Sequence, residues 1–304
     1  MSIALGQIHP ILENEELAQQ SWPESTLYVI ATPIGNLADI SLRALYALQK
    51  VDVIACEDTR SSKALLNSYG ITTALMAAHK HNEVEAAHQI IQKLQQGMRV
   101  ALISDAGAPA VSDPGGKLVR LVKEAGFDVR PIPGASSVIT ALMGSGVTND
   151  EQPGFIFAGF IPSKSTARKQ WLEQWQKSTF PVIMFESPHR IVECLHDMAS
   201  IFSPERQVTI ARELTKRFEQ IETLSIADVL VWIQQDHNRQ KGEFVLVLSP
   251  EQHNDEVEQH AEMDRLLSVM LSHVSLKDAV KMTCQLTQLP KTIVYNRALE
   301  LKEK

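Results

Sequence analysis

Cysteine is scarce: Cys56, Cys194 and Cys284 are the only 3 among 304 residues, and no two form a C-x-x-C pair. A disulfide framework needs an even set of thiols and a structural zinc site needs paired ligands, so both are excluded and a reducing compartment is expected. Residues 1–42 contain no lysine or arginine. Without that basic flank neither a secretory signal nor an Arg-rich transit peptide can be read, and a cytoplasmic location is expected. Positive charge is short overall, with 29 Lys plus Arg against 36 Asp plus Glu and a net charge of −7. That balance excludes a protein that coats nucleic acid by bulk electrostatics and leaves only local basic patches for such a partner. The longest uncharged stretch, Pro131 to Asn149, is broken by Pro133, Gly134, Gly144 and Gly146. It reads as a loop followed by a buried helix, and no membrane partner is expected.

Several common signatures are missing too. There is no G-x-x-x-x-G-K-[ST], no strand followed by G-x-G-x-x-G, no H-E-x-x-H and no G-x-S-x-G. The usual phosphate cradles, the zinc-protease helix and the hydrolase elbow are therefore absent, and no metal is expected.

What is present is an ordinary globular composition, 44% hydrophobic and 21% charged, in a chain long enough for two domains. Residues 1–26 carry Glu13, Glu15, Glu16 and Glu24 with no apolar stripe and read as a flexible arm. From Leu27 the strand candidates LYVIATP, VDVIACE, RVALISD and FDVRPIP alternate with helix-length segments, which predicts a largely parallel α/β domain over residues 27–148. Asn82 with Glu85 reads as a cap for a helix that Gly97 ends, and Asp113-Pro114 as the start of another that Gly126 closes. A second α/β domain is expected over residues 149–250, from FIFAGFIP, PVIMFES, QVTIARE and GEFVLVL, with helix starts at Ser187-Pro188 and at Ser225 with Asp228. The acidic stretch EQHNDEVEQHAE reads as a linker to a small helical domain at 255–304, where Ser275 and Asp278 cap one helix and Pro290 opens the last.

Chemistry is expected where strands end, because ligands of open α/β sheets bind at the carboxyl edge. Thr32 to Asn36, Ser104 to Pro109 and Pro133 to Ser137 follow three strands and are rich in small residues. Such loops let backbone groups reach a flat polar ligand, and Asp105 adds one carboxylate; each taken alone is also an ordinary tight turn. Glu57, Asp58 and Arg60 end another strand, as a candidate base and its partner or as a solvated strand end. Cys56 is weaker still as a nucleophile, since no His lies near it and small buried Cys is common. His189, in the Phe185 to Arg190 junction, reads as a hydrogen-bonding helix-start residue. The charged block Ala211 to Glu219 offers Arg and Lys for phosphates and Glu213 or Lys216 for proton removal. Lys164, Arg168, Lys169 and Lys177 surround Trp171 and Trp175, which suits RNA but suits a core Trp pair with basic neighbours better. Lys291, Arg297 and Lys302 make a second basic patch.

Eight strings in fixed order, LYVIATPIGNLADISLRAL, ACEDTRSSKALL, ALISDAGAPAVSDPG, PIPGASSVITAL, FAGFIPSK, FESPHRI, ARELTKRFE and KGEFVLVL, carry the chain further. Together they resemble the ribosomal RNA small subunit methyltransferase I family of the tetrapyrrole-methylase-like superfamily, from about Leu27 to the C-terminus. The resemblance implies two α/β domains of the tetrapyrrole methylase type with the cofactor in the cleft between them, plus the small helical domain. It implies an S-adenosylmethionine (AdoMet) dependent enzyme that methylates the ribose 2′-hydroxyl of a cytidine in the decoding region of 16S rRNA, and a homodimer. By position it implies cofactor contacts at Pro33, Gly35, Asp105, Ala108, Ser136 and Ser137, with Met184, Phe185, Gly242 and Glu243 from the second domain. A ribose hydroxyl is a poor nucleophile while protonated, so a nearby base or cation is expected, and Glu213 and Lys216 are the candidates, with Asp58 as alternate. Arg60, Lys164, Arg168, Arg190, Arg212, Lys291 and Arg297 are the candidate RNA contacts. The superfamily's first loop is normally a Gly-rich tract and its third a Gly-Asp-Pro, where this chain has Thr32-Pro33-Ile34-Gly35 and Ser104-Asp105-Ala106. That departure weighs against a corrin substrate. Two other readings stay open: a tetrapyrrole methyltransferase, which needs an apolar ring-sized pocket and gives the basic tail no task, and a non-catalytic RNA-binding assembly factor with vestigial loops.

Overall fold

A computed structural model describes residues 15–112, 115–148, 153–251 and 255–302. The chain separates into two compact units, residues 1–250 and 251–304.

The first unit holds two sheets. In one, β1 (Thr26–Ile30), β2 (Val53–Cys56), β3 (Ala74–Ala77), β4 (Val100–Ile103) and β5 (Asp128–Ile132) lie in the order β3-β2-β4-β1-β5, every pair parallel. Strands β2 and β4 are uninterrupted apolar runs because both faces are covered, as parallel sheets require. Ile30, Ile54 and Ile103 pack under the helices Leu42–Lys50 and Thr59–Asn67, while Leu27, Val100 and Leu102 pack under Glu83–Gln95 and Gly116–Glu124. Since β1 lies between β4 and β5, the loops that follow these three strands emerge side by side at one edge.

In the other sheet, β6 (Ile156–Phe160), β7 (Val182–Glu186), β8 (Gln207–Arg212), β9 (Gln220–Ser225) and β10 (Phe244–Leu248) take the order β6-β7-β10-β8-β9. Here β6 and β7 are parallel and the remaining pairs antiparallel. The helices Ser165–Glu173, Ile191–Ala199 and Ile226–Gln235 cover one face. The opposite face presents Ile183, Ala211, Val245 and Val247 to Ile34, Val138 and Ala141 of the first half, so the two sheets share one buried apolar cluster. The helix Ser137–Ser145, which continues from β5, lies against β8, β9 and β10.

Several sequence expectations change. Residues 17–26 are not a loose arm: Leu17 and Trp22 are buried, Trp22 donates its indole N–H to the Leu17 carbonyl (2.8 Å), and its ring packs 5.7 Å from Tyr28. The remainder of the expected arm, residues 1–14, and the proposed helix start at Asp113-Pro114 lie outside the described residues. Asn82 does not form a capping box with Glu85; its amide oxygen accepts from the His79 N–H (2.8 Å) and its amide donates to the Ala77 carbonyl (3.2 Å). Ser187-Pro188 is a turn, and the helix begins at Ile191 with Arg190 in the cap position. Ser225 does cap as expected, accepting from the Asp228 N–H (3.1 Å) and donating to its carboxylate (2.7 Å).

The second unit consists of the helices Asp255–Leu271, Leu276–Thr287 and Lys291–Lys302 around Met263, Leu267, Val280, Val294 and Ala298. The acidic stretch read as a linker is helical from Asp255 onward. Among the described residues no helix is long and apolar enough to cross a membrane.

Candidate functional site

Where the two sheets meet within the first unit there is a cavity of about 370 Å³, within the range of small-molecule sites. The first half supplies Ile34 after β1, Ala106 to Ala108 and Val111 after β4, and Ser136 to Val138 after β5. The second half supplies Phe160 from β6, Phe185 to Pro188 from the end of β7, Leu214 after β8, and Glu243 to Val245 at the start of β10.

The loops are latched into place by their own polar groups. Buried Thr32 exchanges two backbone hydrogen bonds with Gly107 (2.9 and 3.1 Å) and donates its hydroxyl to the Ser104 carbonyl (3.1 Å). Gly107 takes φ 82, and a Cβ there would lie 3.2 Å from the Ile34 side chain, so a residue without one lets the loop close. Glu186 is buried, and one of its carboxylate oxygens accepts from the Ser187 N–H (2.6 Å) and from Arg190 Nε (2.9 Å) and Nη2 (2.6 Å), which fixes the turn that walls the cavity.

Of the residues expected to touch a cofactor, Ala108, Ser136, Ser137, Phe185 and Glu243 line the cavity. Pro33, Gly35, Asp105, Met184 and Gly242 are not among its lining residues. Gly35 instead allows a close approach between the halves, since a Cβ there would lie 2.6 Å from Lys216 Cγ. Asp105 is exposed and accepts a hydrogen bond from the Ser61 hydroxyl (2.8 Å). Met184 points to the helix-covered face with Ile161 and Cys194 while Phe185 points to the cavity, because neighbouring strand residues alternate faces. Gly242, at φ 98, backs the Glu213 side chain, which a Cβ there would overlap. Sequence reading missed Phe160 and Leu214 as wall residues; neither carries a polar group that would have signalled a role.

Beside the cavity, Lys216 Nζ donates to Glu213 Oε1 (2.8 Å) and to Glu243 Oε2 (2.8 Å), and the Glu243 N–H donates to Glu213 Oε1 (3.1 Å). Burial alone would push the Glu213 carboxyl up, but the bonds from Lys216 and the Glu243 N–H outweigh it and hold it below the usual carboxylate range. Burial alone would lower the Lys216 ammonium, and its two carboxylate partners raise it instead. Glu213 (φ 50) and Thr215 (φ 66) both lie in the left-handed region, a rare conformation for a β-branched residue and one that clusters at functional sites. Asp58 caps the helix Thr59–Asn67 by accepting from the Arg60 N–H (2.7 Å) and does not line the cavity. Burial pushes the Cys56 thiol up, which leaves it poorly suited to attack.

The RNA candidates divide by exposure. Arg60, Lys164 and Lys291 are exposed. Arg168 is only 1% exposed and donates to Asp197 (2.6 Å), so its charge is spent inside the fold. Arg212 is buried and donates to the Lys241 and Phe218 carbonyls and the Gln220 side chain. Arg190 is committed to Glu186, and Arg297 pairs with Asp264 and Glu300. Charge counting cannot separate these cases, because a buried paired Arg and an exposed one look alike in sequence.

Residues 26–230 match the family of Tetrapyrrole (Corrin/Porphyrin) Methylases, and residues 257–302 match the RsmI C-terminal HTH domain. A protein of Neisseria meningitidis serogroup B named ribosomal RNA small subunit methyltransferase I is 44% identical over 287 residues, covering 94% of this chain and 97% of that protein. A protein of the same name from Vibrio cholerae is 44% identical over 274 residues, 90% of this chain and 94% of its own length. Among solved structures, a cobalt precorrin-4 methyltransferase superposes with a TM-score of 0.54 at 18% identity, covering 74% of this chain and 95% of that one, which is a likeness of fold. The chain belongs to the tetrapyrrole methylase family and, within it, to the ribosomal RNA small subunit methyltransferase I proteins.

Proposed function

We propose that the chain transfers the methyl group of AdoMet to the ribose 2′-hydroxyl of a cytidine in the decoding region of 16S rRNA. The observation that carries this reading is the cavity at the carboxyl edge of the parallel sheet, in a chain 44% identical over nearly its full length to proteins named as small-subunit rRNA methyltransferases. The walls suit the donor: Ile34, Val138 and Phe244 offer apolar surface to a nucleoside, and Ser136, Ser137 and Glu243 offer polar contacts. When bound, AdoMet supplies an electrophilic methyl on a sulfonium sulfur.

The chain's own residues then have to orient an oxygen and favour its negative charge. Orientation accounts for much of such a rate, and it rests on the latched Thr32–Gly107 loops and the Glu186-clamped turn. Lys216 is the charged group beside the cavity that can favour negative charge on the ribose oxygen, and Glu213, as a carboxylate held low, fixes that ammonium; as the new C–O bond forms and the C–S bond breaks, the hydroxyl proton passes to solvent water, leaving S-adenosylhomocysteine and the 2′-O-methyl ribose. Arg60, Lys164 and Lys291 are the phosphate contacts in this reading. A cytoplasmic homodimer acting on the small ribosomal subunit completes it; Met143, 81% exposed, and Ile139 on the helix Ser137–Ser145 form an apolar face suited to a subunit contact.

The test is transfer of labelled methyl from AdoMet to small ribosomal subunits from a strain lacking the modification, with mapping of the product. Label on the 2′-oxygen of one decoding-region cytidine supports the assignment. Label on a corrinoid precursor and none on the subunit rejects it.

A further inference from the structure

Phe160 ends β6 and lines the cavity, yet 61% of it is exposed. Ordinary alternation would not aim it there. Phe157 faces the cavity side opposite Ile183, and a period of two would return that face at residue 159. The register slips between Phe157 and Gly159, so that Gly159 falls opposite Met184, whose side chain is on the helix-covered face, and Phe160 falls opposite Phe185, on the cavity face. Gly159 adopts φ 77, and a Cβ there would approach the Ser112 hydroxyl to 3.5 Å. One inserted residue thus turns an aromatic ring toward the site, a known use of bulges beside active sites. The ring is steadied edge to face on Phe185 (5.2 Å, 68°), which is in turn packed on Phe157 (5.0 Å, 61°).

We propose that Phe160 is a stacking platform for the nucleobase of the acceptor nucleotide. This rests on the rRNA methyltransferase reading above. Sequence-specific recognition of RNA commonly splays a single-stranded nucleotide out of its stack and lays its base on an aromatic side chain. The donor belongs inside, among Ile34, Val138 and Phe244, whereas a ribose presented to it holds its base outside, at the mouth, where Phe160 stands exposed. Lys164, four positions further on, is exposed and carries the positive charge a neighbouring phosphate needs.

The experiment is steady-state methyl transfer to small ribosomal subunits lacking the modification, by wild type, F160A, F160L and F160W, with calorimetric binding of the product S-adenosylhomocysteine to each. Leu retains the apolar contact with Phe185, so F160L separates lost stacking from lost packing. The expected result is a KM for subunits raised about tenfold in F160A and F160L, with kcat within about twofold, product affinity unchanged and F160W close to wild type. Unchanged KM overturns the proposal, and so does an equal loss of product affinity, which would put the donor's adenine on the ring. A wild type that methylates no subunit removes the underlying acceptor reading and this assignment with it, an outcome distinct from an active wild type with indifferent variants.

Discussion

Lys216 bridges the carboxylates of Glu213 and Glu243. The low carboxyl of Glu213 contributes stability that is present above its ordinary value of 4.5 and is lost as pH falls through the folded value. The raised ammonium of Lys216 contributes stability that is present below its ordinary value of 10.5 and is lost as pH rises through the folded value. Between about pH 5 and 10 the pair is therefore intact and charged. We expect kcat to show no inflection from this pair between about pH 6 and 9, and Lys216→Met to lower kcat by about 10²- to 10³-fold across that range. A rate profile with an apparent pKa near neutrality that disappears in the Met variant would assign Lys216 or Glu213 the proton-transfer task instead.

At the level of elements, one carboxylate ties two helices together. Glu83, the first residue of the helix Glu83–Gln95, accepts from the backbone N–H groups of Gly115, Lys117 and Leu118 (3.0 Å each), and so caps the helix Gly116–Glu124 from outside. Glu83→Ala should cost about 1–2 kcal/mol in urea denaturation, and Glu85→Ala, on the exposed face of the same helix, less than about 0.5 kcal/mol. Equal effects would mean that the cap is not used. Strands carrying long apolar or β-branched runs, such as Val100–Ile103 and Phe244–Leu248, were legible in sequence because burial on both faces writes a continuous signal. Ala74–Ala77 and Gln220–Ser225 were not, being edge strands whose mixed, partly exposed residues follow no clean period. The same limit governs the site. Loop positions such as Ala108 and Ser137 could be placed because they follow legible strands, but Met184 and Phe185 could not be told apart without the face each takes. The slip at Gly159 has no sequence signal beyond a glycine in a strand.

For the whole molecule, the sequence boundary near residue 149 marks a change of sheet rather than of compact unit, because both sheets bury the cluster around Ile34, Val138 and Val245. The cavity lies wholly within the unit of residues 1–250, and residues 251–304 have a core of their own. A chain ending at Pro250 should keep its S-adenosylhomocysteine affinity within about twofold while its KM for small ribosomal subunits rises by about an order of magnitude, since exposed Lys277, Lys281 and Lys291 go with the tail. Unaltered KM would remove the tail from substrate binding. The central claim is that the cavity between the sheets holds the methyl donor. Calorimetric titration of AdoMet into wild type and Ala108→Phe tests it most directly, because Ala108 is on the wall and a phenyl group there would occupy the space. One site per chain in wild type and an affinity at least about a hundredfold weaker in the folded variant are predicted; equal affinity in the two proteins would contradict the account.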